Sequence, residues 1–351
     1  MTLINVMRSI SRIRYLNKLG YYIMKKLTLV FIFSLCILSC TEKKKENKDT
    51  ASRGAMAHSV GKINELSVVI DNDLWKGRVG DTIRKYFGAE VPGLPQVEPL
   101  FSMRQMPNAA FSGLARKSRT FLLIKKGKKK GYITLKNKFA TPQNGVVISG
   151  TENEIIELIH KNHETIVSNY KLTETKEKHK RIKKSLERIP QLSEKMGINL
   201  DIPSAYRVAI EEDKFFWIRK EITNGSMDLM IYELPLGTIP KDSNTVSSII
   251  KMRDSIGAVK IPTSAVGNFI TEEAYAPYLY ETKLDNRFTF ETKGTWEIKE
   301  RFMAGPFVNY VIEDVPNNRL LVLEGFVFAP SIAKRNNMFE LEAIIKTIKF
   351  N

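Results

Sequence analysis

The sequence predicts an α+β protein in which antiparallel sheets pack against helices, arranged as two lobes with a helical hairpin between them. Three observations support this prediction. Short apolar runs are separated by turn signals such as Asn224-Gly225, a pair that tolerates positive φ and is typical of β-hairpins. The stretch Thr151-Glu-Asn-Glu154 is a capping box, which marks the start of a helix. Strand patterns lie before and after that helix, which indicates an antiparallel α+β sandwich.

The first lobe is predicted to span residues 61–197. Its predicted segments are, in chain order, a strand at 66–70, a helix around 80–87, and strands at 120–125, 131–135 and 145–149. The strands on either side of the lysine-rich stretch 127–131 are expected to pair as a hairpin. The stretch 91–107 contains four prolines, which forbid a regular helix and disfavour a central strand.

The helical hairpin is predicted from two sets of apolar residues at helical spacing. The first set follows Thr151 and consists of Ile155, Ile159, Ile166 and Tyr170. The second set consists of Ile182, Leu186, Ile189 and Met196, and it ends before Gly197, a plausible helix cap. Between them, residues 171–180 contain only one apolar side chain, Leu172. We therefore expect two helices that form a hairpin or a bent pair.

The second lobe is predicted to span residues 198–351. Its predicted segments are strands at 206–210, 214–222 and 228–234, a helix around 245–256, strands at 288–298, 307–312 and 319–328, and a closing amphipathic helix from 337. The acidic stretch Glu211-Glu-Asp213 is interpreted as a polar hairpin tip.

The amino-terminal stretch has the organisation of a secretory signal. Lys25 and Lys26 precede an apolar run from Leu27 to Leu38, which is too short to span a bilayer because about 20 apolar residues are needed. Ser39 and Cys40 follow, as in the lipobox of bacterial lipoproteins. We predict a signal peptide over residues 1–39, with Met24 as an alternative start, and lipidation at Cys40.

Residues 40–60 are predicted to be the lipidated cysteine and a flexible tether. The segment is rich in Lys, Glu, Asn and Ser and has hardly any apolar side chains, so it cannot bury enough surface to fold. Lys43 to Lys45 follow the cysteine, where export to the cell surface would favour acidic residues. We therefore expect a periplasm-facing protein, on the outer membrane rather than the inner one.

The net charge indicates an anionic partner. The formal charge is +17, and residues 1–39 contribute six basic and no acidic side chains, so cleavage before Cys40 leaves 17 − 6 = +11. An exported, anchored protein is not expected to meet nucleic acid, so anionic lipid or an envelope protein is the expected partner. A surface that is merely rich in lysine is the simpler explanation. The two cysteines, Cys36 and Cys40, leave no thiol pair for a disulfide after processing.

Catalytic and metal-binding motifs are not apparent in the sequence. His160 and His163 lie three residues apart on the predicted helix, but no third ligand shares their face, so we interpret them as helix-flank residues. Asp71 and Asp73 are typical of a turn and a helix cap, although paired carboxylates also bind divalent cations. No catalytic residue, metal ligand or cofactor is assigned.

Two surfaces are candidates for binding. The proline-rich loop 91–107 offers apolar groups at low entropic cost, and the binding residues predicted there and nearby are Trp75, Leu94, Phe101, Met103 and Met106. Packing of that loop over the sheet edge would explain the same residues without a ligand.

The second candidate is the most basic stretch, residues 171–188, which has eight basic and three acidic residues. The side chains predicted to contact an anionic surface are Lys180, Arg181, Lys183 and Lys184. A solvated helix face is the alternative explanation.

Four stretches resemble an uncharacterised family of Bacteroidetes lipoproteins known only as a domain of unknown function. They are Gly61-Lys-Ile-Asn-Glu-Leu-Ser-Val-Val-Ile70 with Trp75, Gly93-Leu-Pro-Gln-Val-Glu-Pro-Leu-Phe101, Gly305-Pro-Phe-Val-Asn-Tyr310, and Leu323-Glu-Gly-Phe-Val-Phe-Ala-Pro330 onward. The resemblance covers residues 61–351 and implies a lipid anchor but no reaction, ligand or catalytic residue.

The sequence as a whole favours a lipid-anchored envelope protein that binds or scaffolds another component without catalysis. The alternative is a periplasmic hydrolase, with or without a metal, whose site includes Asp71 or Asp73 and is not recognisable from sequence.

Overall fold

The first sheet contains five strands and is mostly parallel. The structure is a computed structural model that describes residues 56–261 and 267–351. The strands are β1 (Glu65–Val69), β2 (Ser102–Met106), β3 (Thr120–Lys126), β4 (Gly131–Lys136) and β5 (Asn144–Gly150), and their order in the sheet is β2-β1-β3-β5-β4. β2, β1, β3 and β5 pair in parallel, and only β4 is antiparallel, to β5.

The predicted hairpin between 120–125 and 131–135 is therefore wrong. β5 lies between β3 and β4, so the two strands joined by the lysine-rich turn do not pair with each other. The first five residues of β3 are buried, as is usual for a central strand of a parallel sheet. The predicted antiparallel character holds for the second sheet, not for this one.

Three helices belong to this part of the chain: α1 (Asn72–Lys76), α2 (Arg78–Phe87) and α3 (Glu152–Ile182). α3 begins at the predicted capping box, in which the Thr151 side chain and Glu154 satisfy each other's backbone N–H groups. α2 and α3 cover one face of the sheet with a core that includes Val68, Ile83 and Ile155.

α3 is one continuous helix of 31 residues, so the predicted helical hairpin is wrong. Between Tyr170 and Ile182 its buried side chains are Thr173, Glu174 and Glu177, which continue the helical spacing of Ile166 and Tyr170 with polar groups. A pattern search that counts only apolar residues ends the helix where its buried face changes from apolar to polar.

The second sheet contains eight strands and is antiparallel. They are β9 (Arg207–Glu212), β10 (Phe215–Ile222), β11 (Gly225–Pro235), β12 (Ile270–Thr271), β13 (Tyr278–Leu284), β14 (Arg287–Ile298), β15 (Met303–Asp314) and β16 (Arg319–Phe328). The order is β12-β14-β15-β16-β11-β10-β9, and β13 also pairs with β14. The predicted Asn-Gly turn joins β10 and β11, with Asn224 at φ 58°.

Both faces of the second sheet are covered. α6 (Arg335–Ile345) packs on one face with residues such as Leu323 and Val308, and the end of α3 joins the same core through Ile182. α5 (Thr245–Lys260) packs on the other face against an aromatic core that includes Trp217 and Phe307. Burial on both faces explains why strands such as β16 are almost continuously apolar.

Short elements connect α3 to the second sheet. They are β6 (Leu186–Glu187), α4 (Pro190–Met196), β7 (Ile198–Asn199) and β8 (Ile202–Pro203). A further short strand, β17 (Lys349–Phe350), lies at the end of the chain. β6 pairs with β8, and β17 pairs with β7. The last residues of the chain are therefore attached to the segment that follows α3.

The α+β class is confirmed. The predicted signal peptide, the lipidated Cys40 and most of the tether lie outside the described residues. Residues 58 and 60, which the sequence assigns to the tether, form bridges with Thr141 and Ser118. In the described part of the chain, no helix combines the length and the apolar character needed to span a bilayer.

Candidate functional site

A buried ion pair lies beside the point where the described chain enters the fold. The Arg119 Nε and Nη2 atoms are each 2.9 Å from an oxygen of Glu174, and these side chains are only 1% and 0% exposed. Arg119 also donates to the carbonyl oxygens of Gly61 and Lys62, and Glu174 accepts from the backbone N–H of Asn64. The pair thereby fixes the segment before β1 against α3.

Lys171 joins three segments one helical turn before Glu174. Its Nζ donates to Asn64 Oδ1 and to the Leu100 carbonyl oxygen, both at 3.0 Å, and lies 4.7 Å from the centre of the Phe101 ring. Asn64 in turn donates to Asn336 on α6. Burial lowers the pKa of Lys171 to about 7, because an ammonium ion loses its hydration there.

A second charged cluster lies between α6 and β14. Lys293 Nζ is 2.7 Å from Glu342 Oε1 and 3.0 Å from Glu291 Oε1. Burial acts to raise the pKa of Glu342, but the charge of Lys293 outweighs it and holds that pKa at about 2. We refer to the groups around Arg119, Lys171 and Lys293 as the buried junction. Its paired charges indicate a structural role.

The proline-rich loop completes this junction. The Glu98 carboxylate accepts from the backbone N–H groups of Lys334 and Arg335 at 2.6 and 3.0 Å, and so satisfies donors at the start of α6. The Pro99 carbonyl oxygen accepts from Arg335 Nη1 at 2.7 Å. Gly93 has φ +77° and packs against the backbone of β14 so closely that a Cβ atom would lie 2.9 Å from Gly294 N.

The five predicted binding residues do not share one surface. Phe101 is fully buried in the core under α3, and Met103 and Trp75 pack against the same core. Leu94 packs against the core of the second sheet, and Met106 packs on the opposite face of the first sheet. The Arg84 guanidinium covers the Trp75 ring at 4.6 Å. Packing accounts for the contacts of these side chains in the described structure.

The four basic residues at the end of α3 are all exposed. Lys180 Nζ donates to His58 Nδ1 at 3.2 Å, and Arg181 donates to Glu177 at 2.7 Å. Lys183 lies 3.6 Å from Asp201, and Lys184 forms no ion pair with another described residue. Cations near the C-terminal end of a helix also interact favourably with the helix dipole. This interaction stabilises the helix without any ligand. We refer to these four residues as the basic end of α3.

The described chain enters the fold beside this basic end. His58 receives the hydrogen bond from Lys180, and the Gly61 carbonyl oxygen accepts from Arg181 Nη2 at 3.3 Å. His58, near the end of the predicted tether, and Gly61, directly after it, therefore contact two of the four predicted surface cations. This contact cannot be recognised from the sequence, because about 120 residues separate the partners along the chain.

A groove lies next to the basic end, between the segment after α3 and the end of the chain. It has two adjoining parts, with volumes of ≈ 720 and ≈ 340 Å³. Four residues line both parts: Lys183, Asn199, Leu200 and Asp201. The larger part is also lined by Leu186, Ile189 and Ile202, and the smaller part by His179, Lys346 and Lys349. The sequence interpretation missed this groove because its residues come from distant segments.

Another cleft, of ≈ 460 Å³, lies against β1 and β2. Its polar side chains contact one another: Ser67 Oγ donates to Ser118 Oγ at 2.9 Å, and Arg104 lies 4.0 Å from Glu65. Of its three cations, Arg119 is paired with Glu174 and Arg104 lies near Glu65, which leaves Lys62. The groove adjoins the exposed cations of the basic end and is therefore the better candidate for an anionic ligand.

His160, His163 and Asp71, which the sequence offers as candidate metal or catalytic residues, contact other protein side chains in the structure. Tyr86 Oη lies 2.6 Å from His160 Nδ1, and its ring lies 3.8 Å from the His163 ring. Asp71 Oδ1 accepts from the backbone and side chain of Asn108. Among the described residues, no three His, Cys, Asp or Glu side chains are grouped as metal ligands.

Two domains of unknown function match the chain. Residues 59–183 match DUF8532, and residues 185–347 match DUF4837. The boundary between them falls at the end of α3, where the groove begins. These matches confirm the resemblance to proteins known only as domains of unknown function, whereas the Bacteroidetes origin and the lipid anchor stay predictions. No curated protein sequence matches the chain.

Among solved structures, the chain is similar to LpqN, a protein described as involved in cell envelope biogenesis of Mycobacterium tuberculosis. The sequence identity is 12%, the match covers 44% of this chain and 83% of LpqN, and the TM-score is 0.29. A likeness at that TM-score supports neither a fold nor a function for this chain.

Proposed function

We propose that this protein is a lipid-anchored, non-catalytic binding module of the bacterial cell envelope, and that the basic end of α3 faces an anionic membrane surface. The observation that carries this proposal is the contact between the entering chain, at His58 and Gly61, and the basic end, at Lys180 and Arg181. A membrane anchor upstream of His58 would keep this end of the protein nearest to the lipid.

The sequence supplies the anchor in this proposal. Cys40 follows a short apolar run in the manner of a lipobox, and two or three acyl chains hold a protein on a membrane durably. Fifteen residues, 41–55, lie between Cys40 and Met56, where the described structure begins. A flexible segment of that length has a root-mean-square reach of roughly 22 Å. The basic end is thus within reach of the headgroups.

Electrostatics favours the proposed orientation. Surface attraction falls off within a Debye length of about 8–10 Å, so only basic residues close to the membrane contribute. Each of these contributes about 1 kcal/mol against an anionic leaflet. The lysines at 43–45, immediately after the anchor, add to the same attraction, and they favour a periplasm-facing position because export to the cell surface would favour acidic residues there.

The orientation can be tested with unlipidated protein. The mature chain from residue 40 is made with Cys40→Ser and mixed with vesicles rich in phosphatidylglycerol, or with vesicles of phosphatidylcholine alone. Replacing Lys180 and Lys184 by Gln should weaken sedimentation with the anionic vesicles by roughly 30-fold, which corresponds to about 2 kcal/mol for two lysines.

The matched control removes the same charge elsewhere. Lys128 and Lys129 are exposed in the turn between β3 and β4, and replacing both by Gln should leave vesicle binding nearly unchanged. Equal losses in the two variants would show that net charge alone governs binding and would overturn the orientation. The anchor is tested separately in cells, where Cys40→Ser should release the protein from the membrane fraction.

A further inference from the structure

We infer that the groove beside the basic end of α3 binds one anionic phospholipid, with the phosphate at its lysines and an acyl chain in its apolar part. This inference rests on the proposed function, because it requires the same end of the molecule to face the membrane. It goes further by naming the ligand and by distinguishing a defined site from a diffuse attraction to a charged surface.

The apolar part of the groove has the character of a chain-binding channel. Its wall contains Leu186, Ile189, Leu200 and Ile202, and the Leu186 side chain is 40% exposed although it is a large apolar group. None of the described residues that line either part of the groove is aromatic, so these residues offer no ring on which a nucleobase would stack. Aliphatic walls of this kind suit an alkyl chain.

The cationic part lies at the other end of the same groove. Lys183, Lys346 and Lys349 line it, and each also has a carboxylate neighbour: Asp201 at 3.6 Å, Glu342 at 3.5 Å and Asp285 at 2.7 Å, respectively. An ammonium group has three donors, so a lysine with one carboxylate partner still has donors for a phosphate. His179, which also lines this part, donates from Nε2 to the Ala343 carbonyl oxygen at 2.9 Å.

The charge of the whole lining favours an anion. Across the two parts the cations are Lys183, Arg188, Lys346 and Lys349, whereas the carboxylates are Glu187 and Asp201. The groove volumes fall within or close to the range of about 300–1,000 Å³ that small-molecule sites occupy. An aliphatic part that joins a cationic part fits an amphiphile with an anionic head better than a free anion or an apolar ligand.

The wall of this groove is assembled by residues at, and just beyond, both ends of the second domain match. Asn199 and Leu200 follow α4, while Lys346 and Lys349 follow α6 at the end of the chain. The β7–β17 pairing and the hydrogen bond from Asp201 N–H to Thr347 Oγ1 hold the two segments together. The groove is therefore a fixed part of the fold, which is the condition for a site of defined shape.

The test uses short-chain lipids at concentrations where they are monomeric, so that no vesicle surface is present. Dihexanoylphosphatidylglycerol, dihexanoylphosphatidylcholine and inorganic phosphate are each titrated into the unlipidated mature chain and followed by NMR chemical-shift changes. We expect saturable binding of the phosphatidylglycerol, at least tenfold weaker binding of the phosphatidylcholine, and weaker binding of phosphate than of the anionic lipid.

Variants then separate the two parts of the groove. Replacing Lys346 and Lys349 by Gln should weaken the anionic lipid at least tenfold, and Leu186→Asp should do the same while leaving phosphate binding unchanged. All three side chains are exposed, so an unchanged melting temperature is expected to verify the fold. Lys128→Gln with Lys129→Gln is the matched control and should bind like the parent.

The inference is overturned if the anionic lipid does not saturate, or if it binds all variants equally. It is also overturned if phosphate binds as tightly as the lipid, because the apolar part would then contribute nothing. Vesicle sedimentation of the variant Lys180→Gln with Lys184→Gln tests the proposed function separately. If vesicle binding depends on Lys180 and Lys184 but monomeric lipid does not bind, the lipid site in the groove is overturned and the proposed function is not.

Discussion

The buried junction and the basic end of α3 contain the same kinds of charged residue, yet their surroundings differ in every respect that matters. Arg119 and Glu174 are almost inaccessible to water and form two short hydrogen bonds with each other. Lys180 and Lys184 are exposed, and Lys180 contacts only a histidine among the described residues. Glu174 and Lys180 lie on the same helix, only six residues apart.

The difference shows that burial and pairing, more than residue type, decide what a charge does. A desolvated charge has to be paired, since an unpaired one costs several kcal/mol, so the junction is committed to holding the structure together. A solvated lysine loses little when its surroundings change and remains available to an anion. The predictions that follow test this contrast, from the largest expected effect to the smallest.

The largest effect is expected from Glu174→Gln, which removes the carboxylate that pairs with the buried Arg119 and leaves only Glu177, 4.0 Å away, as a counterion. We expect the free energy of unfolding to fall by about 3–5 kcal/mol, measured by urea denaturation. The double variant Arg119→Met with Glu174→Leu should lose less, because it leaves no unpaired charge, although the Gly61 and Lys62 carbonyl groups lose a donor. A double variant as unstable as Glu174→Gln would contradict this explanation.

The next effect concerns Glu342, whose pKa is held at about 2 when folded against 4.5 ordinarily. A carboxyl group with a lowered pKa stabilises the fold above its ordinary pKa, and this contribution disappears as the pH falls toward 2. We expect Glu342→Gln to cost about 3 kcal/mol at pH 7. The difference in unfolding free energy from the parent should shrink between pH 4.5 and about 2. A constant difference over that range would count against the Lys293 pairing.

An effect of similar size, but at higher pH, is expected at Lys171. Its pKa is about 7 in the folded protein and 10.5 ordinarily, so the unfolded chain binds an additional proton between these values. Stability from this group therefore rises with pH above 7, by at most about 1.4 kcal/mol per pH unit. Lys171→Met should flatten the unfolding free energy between pH 7 and 9.5. If the slope of the unfolding free energy against pH is unchanged in this variant, the Lys171 ammonium group is hydrated in the folded protein.

The smallest effect on stability is expected at the basic end. Replacing Lys180 and Lys184 by Gln removes a favourable interaction with the helix dipole and nothing buried, so the free energy of unfolding should change by about 0.5 kcal/mol. The same variant is expected to lose most of its binding to anionic vesicles. A large loss of stability would erase the contrast between the two regions, because these lysines would then be structural.

Local signals in the sequence predicted local structure well. The capping box at Thr151 and the turn at Asn224 depend only on neighbouring residues, and both are confirmed. The strands of the second sheet were also recognisable, because apolar runs between turn signals indicate strands whichever face is buried. The positions of β10, β14 and β16 match the prediction to within a few residues.

Features that depend on distant partners were not predictable. The continuation of α3 through Glu174 and Glu177 depends on Arg119, which lies more than fifty residues earlier. The place of β5 between β3 and β4 depends on sheet order, which the adjacency of two strands around a turn does not reveal. The groove likewise combines residues 183–202 with 346–349, and neither stretch has a recognisable motif.

The cap that Glu98 places on α6 makes the start of a helix in one matched domain depend on a residue of the other. The carboxylate belongs to the DUF8532 match, and the N–H groups that it satisfies belong to the DUF4837 match. If recombination joined the DUF4837 region to a different domain, the backbone N–H groups at the start of α6 would lose their hydrogen-bond acceptor. Lineages that keep one half should therefore keep the other, or carry a substitute acid at the same place.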